Sequence, residues 1–263
     1  MSINRPDSSA AGAAAQPAVI DASSANEHDG ADDQPVVEIT IIHSSLACAD
    51  YPLMIGGFAD HTLGGQERFI DRQFAGLLSS WTEVDLFPTE VGTSRFIEPS
   101  PDAETEPPGC YVIGLGSVVD LQREQLTFGV RQALVDRCVR LYSEHLTGGD
   151  DDSPIEVGVS TSLMGVSADH GLRVEDSIAG IVEGVLQANQ KLAHYESSRA
   201  GDGRVVRVTA LQFVERFAEQ ANLAAVALRS LSSAVHLASS YDALRSITVS
   251  ERPGGLPLGA TLT

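Results

Sequence analysis

The sequence predicts an α/β sandwich: three layers, with helices on both faces of a mixed, mostly parallel sheet. Three observations lead there. Short β-branched or apolar runs alternate with longer segments whose apolar residues recur at helical spacing. The central runs are apolar at successive positions, as strands buried on both faces tend to be. Extended stretches precede the first helical segment, which makes the sheet mixed and not fully doubly wound. With 263 residues, 43% of them hydrophobic, the chain can bury a sizeable core.

Residues 1–34 are rich in Ala, Ser, Asp, Gly and Pro without a period, and set Asp7, Asp21, Glu27, Asp29, Asp32 and Asp33 against Arg5. Such a segment buries too little apolar surface to offset its ordering entropy, so a disordered acidic tail is expected. The folded domain is expected over residues 35–245. Residues 36–43 (VVEITIIH) read as a strand, and residues 51–58, closed by Gly56 and Gly57, as a second extended stretch. Ile70, Phe74, Leu77, Leu78 and Trp81 place one helix over 67–81. Residues 84–88 and 94–98 read as short strands about a turn at 90–92, and 99–108 (PSPDAETEPP) as a loop.

Residues 110–116 (CYVIGLG) read as a buried strand. Asp120 is the expected N-cap of a helix whose stripe is Leu126, Val130, Ala133, Leu134, Cys138 and Leu141. An acidic turn at 148–152 precedes a strand at 155–161 (IEVGVST). A glycine-bearing loop, 162–172, then opens a helix carrying Val174, Ile178, Ile181, Val182, Val185, Leu186 and Leu192 on one face. Residues 204–209 read as the last strand. A long helix follows, with Val214, Phe217, Ala218, Ala221, Ala225, Leu228, Leu231 and Val235 in register. Residues 246–263 read as a hairpin about 253–255 or as a tail.

Charge narrows the function classes. Asp and Glu number 36 against 17 Lys and Arg, a formal charge of −19, and Lys191 is the sole lysine. Phosphate would repel such a chain, which argues against a nucleic-acid scaffold or a polybasic membrane binder. Much of the acid sits in the tail, 98–106 and 150–152, so the folded core still admits a small anion at backbone amides. No apolar run approaches the roughly 18 residues that span a bilayer, and no basic-then-apolar leader opens the chain. Cys48, Cys110 and Cys138 are odd in number and widely spaced, which suits a reducing cytoplasm.

In open α/β sheets ligands bind at the carboxyl ends of strands, where glycine-rich loops meet helix N-termini. Two loops qualify. One holds Gly114, Gly116 and Ser117; the other holds Ser162, Gly165, Ser167, His170 and Gly171. If their strands are adjacent, free amides of both face one crevice, which suits a small anionic ligand. Each loop also fits a plain tight turn, because Gly-x-Gly is common where a strand turns into a helix. The dinucleotide fingerprint stops at Gly114-x-Gly116, with Val119 where the third glycine belongs. Residues 158–162 (GVSTS) end in serine where a nucleophile elbow needs glycine. Cys138, on an apolar stripe, reads as a buried structural thiol. Cys48 lies in a loop near His43 and His61, but a Cys–His pair needs proximity that spacing does not show. His145 reads as a surface residue. No His or Cys pair has metal-ligand spacing, so neither metal nor cofactor is expected. Glu175 and Asp176 open a helix, where the dipole favours acids, and Glu183 faces away from the apolar stripe.

Residues 53–58 (LMIGGF), 71–78 (DRQFAGLL) and 109–126 (GCYVIGLGSVVDLQREQL) resemble the N-terminal, non-catalytic domain of leucyl aminopeptidases. That domain has a macro-like three-layer fold, with a strand ending in a Val/Leu-Gly-Leu-Gly turn. Residues 171–177 (GLRVEDS), 183–186 (EGVL), Asn189 and 208–231 are similar to a module of bacterial proteins bearing a CHAT (caspase-like) peptidase domain. The resemblance covers about 36–235. It implies a macro-like, non-enzymatic sensing or interaction module of a bacterial conflict or defence system, with a CHAT-type protease or other effector as partner. No residues match the peptidase half of an aminopeptidase or a CHAT Cys–His pair. Two alternatives stand beside it: a nucleotide-derivative (ADP-ribose-like) binding protein or hydrolase at the same loops, and a cysteine hydrolase centred on Cys48.

Overall fold

In the computed structural model, which describes residues 36–59, 62–99, 106–146, 154–167, 171–198 and 205–235, the strands are β1 (Glu38–His43), β2 (Leu53–Phe58), β3 (Ser94–Ile97), β4 (Cys110–Gly116), β5 (Ile155–Thr161) and β6 (Val206–Glu215). They form one sheet in the order β1-β6-β5-β2-β4-β3. Every pairing is parallel except β3 with β4. The edge strand β3 is short and carries Arg95 outward, a form that discourages pairing with another chain.

Alternation along each strand feeds two apolar layers. Tyr111, Ile113 and Leu115 of β4 belong to one apolar layer with α3 (Arg123–Leu146), α4 (Val174–Ser197) and α5 (Ala218–Val235), which supply residues such as Leu134, Ile181 and Leu228. Cys110 and Val112 point the other way, onto Ile70 of α1 (Gly65–Gln73) and Leu78 of α2 (Leu77–Glu83). Burying a side chain such as Ile113 or Phe213 is worth about 1.5–3 kcal/mol. The expected three-layer sandwich with a mixed, mostly parallel sheet is the architecture found.

Several elements differ from their sequence reading. The single helix expected over 67–81 is two, because Ala75 and Gly76 both take positive φ, 53° and 81°. Asp71 then anchors the second helix by accepting from the Ser79 amide (2.9 Å) and hydroxyl (2.5 Å). Residues 84–88 form no strand; Val84 and Leu86 are exposed. Asp120 is not the N-cap, since α3 begins only at Arg123. The last strand does not stop at Thr209. The register with β5 slips there, Val157 pairing Val208 and Gly158 pairing Ala210, so the alternation restarts in a new phase. Val214 accordingly belongs to β6, paired with Ile42, and the helix starts after Phe217.

Cys138 is fully buried, and burial pushes its thiol up to about 12. No helix among the described residues is long and apolar enough to cross a membrane. The expected tail over 1–34, most of the 99–108 loop, the turn at 148–152 and residues 246–263 lie outside the described residues, as does the side chain of His145.

Candidate functional site

The sheet order creates the crevice. β2 lies between β5 and β4. The chain leaving β2 turns to α1 and α2 on one face, while the chain leaving β4 and β5 crosses to α3 and α4 on the other. Where neighbouring strands send their connections to opposite faces, a gap opens beyond their carboxyl ends. A cleft of about 400 Å³ sits there. Its walls are Gly56 and Phe58 from β2, Gly64 to Glu67 at the start of α1, Val118 from the β4–α3 turn, and Leu163 to Ser167 from the β5–α4 loop.

Local chemistry shapes each wall. At α1, the Glu67 carboxylate turns back to accept from the Gly64 amide at 2.8 Å. The β5–α4 loop is held from behind by buried polar groups. The Leu163 amide donates to Glu215 Oε1 at 2.6 Å. The Met164 amide donates to Ser177 Oγ at 3.1 Å, and the Ser177 hydroxyl donates to the Met164 carbonyl at 2.9 Å. Further along, the Leu172 amide donates to the Gly165 carbonyl at 2.8 Å and closes the loop. Gly165 needs its freedom: φ is 70°, and a Cβ would lie 2.2 Å from Leu121 Cδ2. Glu215 ends β6 and is 4% exposed. Burial raises its carboxyl to about 7, against the lowering effect of the Leu163 amide.

The sequence-predicted residues scatter around this cleft. Gly165 and Ser167 line it. Ser162 is buried, and its hydroxyl has no hydrogen-bond partner among the described residues. Gly171 packs behind the loop, where a Cβ would meet the Gly165 carbonyl at 2.3 Å. Gly114, Gly116 and Ser117 are not among the lining residues. The expectation of free amides is corrected for two of them: Gly114 donates to the Thr93 carbonyl (2.8 Å) and Gly116 to the Thr89 carbonyl (2.7 Å). The two loops do not come from adjacent strands either, because β2 separates them. His170 lies outside the described residues.

Sequence reasoning passed over the β2 end and the α1 start. Their signal was present: glycine pairs at 56–57 and 64–65, with Glu67 three residues after Gly64. Cys48 is exposed in a 3₁₀ turn, Leu46–Cys48, whose Leu46 packs in the α1/α2 layer. His43 falls in phase with Ile39 and Ile41, which face the other layer, and its Nε2 lies 3.3 Å from the Arg216 carbonyl. His61 lies outside the described residues. Among the described residues, no group of three or more His, Cys, Asp or Glu side chains is gathered to hold a metal ion.

No protein-family model matches the chain, and no curated protein matches it in sequence. In fold it is similar to solved macrodomains. The macrodomain of Thermus aquaticus DarG is 13% identical with a TM-score of 0.41, over 67% of this chain and 97% of that one. A variant macrodomain from Oceanobacillus iheyensis, solved with ADPR, is 12% identical with a TM-score of 0.43, over 73% and 92%. The Oceanobacillus iheyensis macrodomain with ADP is 12% identical with a TM-score of 0.41, over 75% and 86%. Likenesses this distant carry no function across, and the architecture rests on the chain's own sheet order: an α/β sandwich with a mixed, mostly parallel sheet and a cleft beside β2.

Proposed function

We propose that this chain binds a nucleotide derivative of the ADP-ribose class in the cleft beside β2. The observation that carries the reading is the composition of the walls. Phe58, Val118, Leu163 and Met164 offer an apolar side for a base, while Gln66, Glu67, Ser167 and glycine-rich backbone offer polar partners for sugar and phosphate. The amides of Leu163 and Met164 are already engaged by Glu215 and Ser177, so phosphate contact on this wall falls to Gly165 and Val166. The Glu67 carboxylate, which accepts from the Gly64 amide, suits a further hydroxyl or amine donor and disfavours phosphate laid directly against it. Binding without a catalytic step is the function proposed. Three widely spaced cysteines support a reducing, cytoplasmic setting.

ADP-ribose and ADP are the first ligands to titrate by calorimetry. Ser167→Tyr fills the cleft from an exposed position and is expected to weaken ADP-ribose at least tenfold. Substitution at Gly116 or Gly165 is a poorer probe, because both take positive φ and any side chain there strains the fold. No heat and no thermal shift with either ligand would overturn the reading.

A second reading adds a readout to the same cleft: a sensing module that signals to an effector such as a CHAT-type peptidase. The observation that favours it is Ser177, in the first turn of α4, which grips the cleft loop through two bonds to Met164. A ligand that shifts Met164 would then move the start of α4. Recovery of an effector with the full chain, dependent on ligand, is the expected result; ligand-independent behaviour removes the coupling.

A further inference from the structure

A second cleft, about 660 Å³, adjoins the first and shares Gly65 with it. Arg68 and Arg72 stand one helical turn apart along its wall on α1. Four other arginines of this acidic chain meet carboxylates: Arg123 with Glu183, Arg137 with Glu98, Arg173 with Glu175, Arg207 with Glu196. Arg68 and Arg72 instead use Nε to reach backbone carbonyls, those of Leu63 (2.8 Å) and Arg68 (3.3 Å). Among the described residues neither forms an ion pair.

The acids beside them keep their charge but are turned to other donors. Asp71 also borders the cleft, but both its oxygens accept from Ser79 at the start of α2. Glu67 accepts from the Gly64 amide. Two like charges a turn apart repel each other, and an anion between them removes that cost. Guanidinium groups one helical turn apart on a shared wall suit the oxygens of a phosphate, which arginine holds through paired hydrogen bonds.

We propose that Arg68 and Arg72 form a phosphate subsite, entered past Gly65, that takes a phosphate group of the nucleotide derivative bound next door. The proposal rests on the reading of the first cleft for the identity of that ligand, but not for the affinity of the arginines for phosphate.

The test uses the full chain, with inorganic pyrophosphate alone in one arm and ADP-ribose in the other. The side-chain Nε signals of Arg68 and Arg72 are followed by NMR. Pyrophosphate is expected to shift both signals saturably, and R68Q/R72Q to weaken it at least tenfold. Arg140→Gln, which removes one positive charge at an exposed site on α3, is expected to leave pyrophosphate binding within twofold. The same double variant is expected to weaken ADP-ribose about three- to tenfold. Pyrophosphate that leaves both arginine signals unmoved overturns the proposal, as does an Arg140→Gln loss equal to that of the double variant. Unchanged ADP-ribose affinity in the double variant overturns the link to the first cleft. If pyrophosphate binds at the arginines while ADP-ribose binds nowhere, the subsite stands and the ADP-ribose reading falls.

Discussion

The β4–α3 turn and the β5–α4 loop each bring a glycine at positive φ to the end of a parallel strand, Gly116 at 74° and Gly165 at 70°. Their surroundings differ. The turn at residues 89–93 lies against the end of β4, and its carbonyls take the amides of Gly114 and Gly116. Nothing among the described residues covers the β5–α4 loop in that way. It is held from behind, by Glu215 and Ser177, and its front borders the cleft. A glycine-rich turn is therefore open to a ligand only where a neighbouring turn has not already taken its amides.

The largest expected effect tests the closed turn. In Gly114→Val, the new Cβ would fall 2.1 Å from the Glu90 carbonyl and 2.4 Å from Thr93 Oγ1. A loss of more than about 3 kcal/mol is expected in chemical denaturation. A change below about 1 kcal/mol would show that the cover over β4 is loose, and the contrast between the two turns would fail.

Glu215 tests the loop's support and has a definite pH sign. Its folded value, about 7, lies above the ordinary 4.5, so the folded state holds the proton more tightly. The contribution of Glu215 to stability is then greatest below pH 4.5, falls as pH rises to about 7, and levels off above it. Glu215→Gln keeps an acceptor for the Leu163 amide and removes the titration. At pH 8 the variant is expected to be more stable than wild type by on the order of 1–3 kcal/mol, with the difference fading towards pH 4. Parallel pH profiles would refute it.

Ser177→Ala removes both bonds to Met164 and leaves a buried amide and carbonyl unpaired, at a cost of about 1–3 kcal/mol. Hydrogen exchange should quicken over residues 163–167 and stay unchanged over 114–117; equal acceleration in both would dissolve the distinction. Ser167→Tyr, at an exposed position, should alter stability by less than about 0.5 kcal/mol while blocking the cleft. A large stability loss there would mean that the loop tip is packed.

Much of the fold was legible because it is written in local periodicity. The stripe Val174, Ile178, Ile181, Val185 and Leu192 announces α4, and the run CYVIGLG announces a strand buried on both faces. Errors came where backbone geometry broke the period. Ala75 and Gly76 split one expected helix, and the slip at Thr209 hid the second half of β6. Of the candidate site, Gly165 and Ser167 were within reach of the strand-end rule. Phe58, Gln66 and Glu67 were not, because nothing local says that the β2 end faces the β5–α4 loop across more than a hundred residues.

By itself the sequence determined the layers: which residues make strands, which make helices, and which side of each is apolar. It also placed Gly116 at the end of β4 and Gly165 in the loop after β5. Strand order was settled only in the tertiary structure, which inserts β2 between β5 and β4 and so opens the cleft. The fate of each glycine amide was settled there too, Gly116 closed by Thr89 and Gly165 left at the cleft wall. The physical reason is range. Side-chain period acts between residues a few positions apart, whereas a backbone amide takes whichever partner the assembled sheet brings to it.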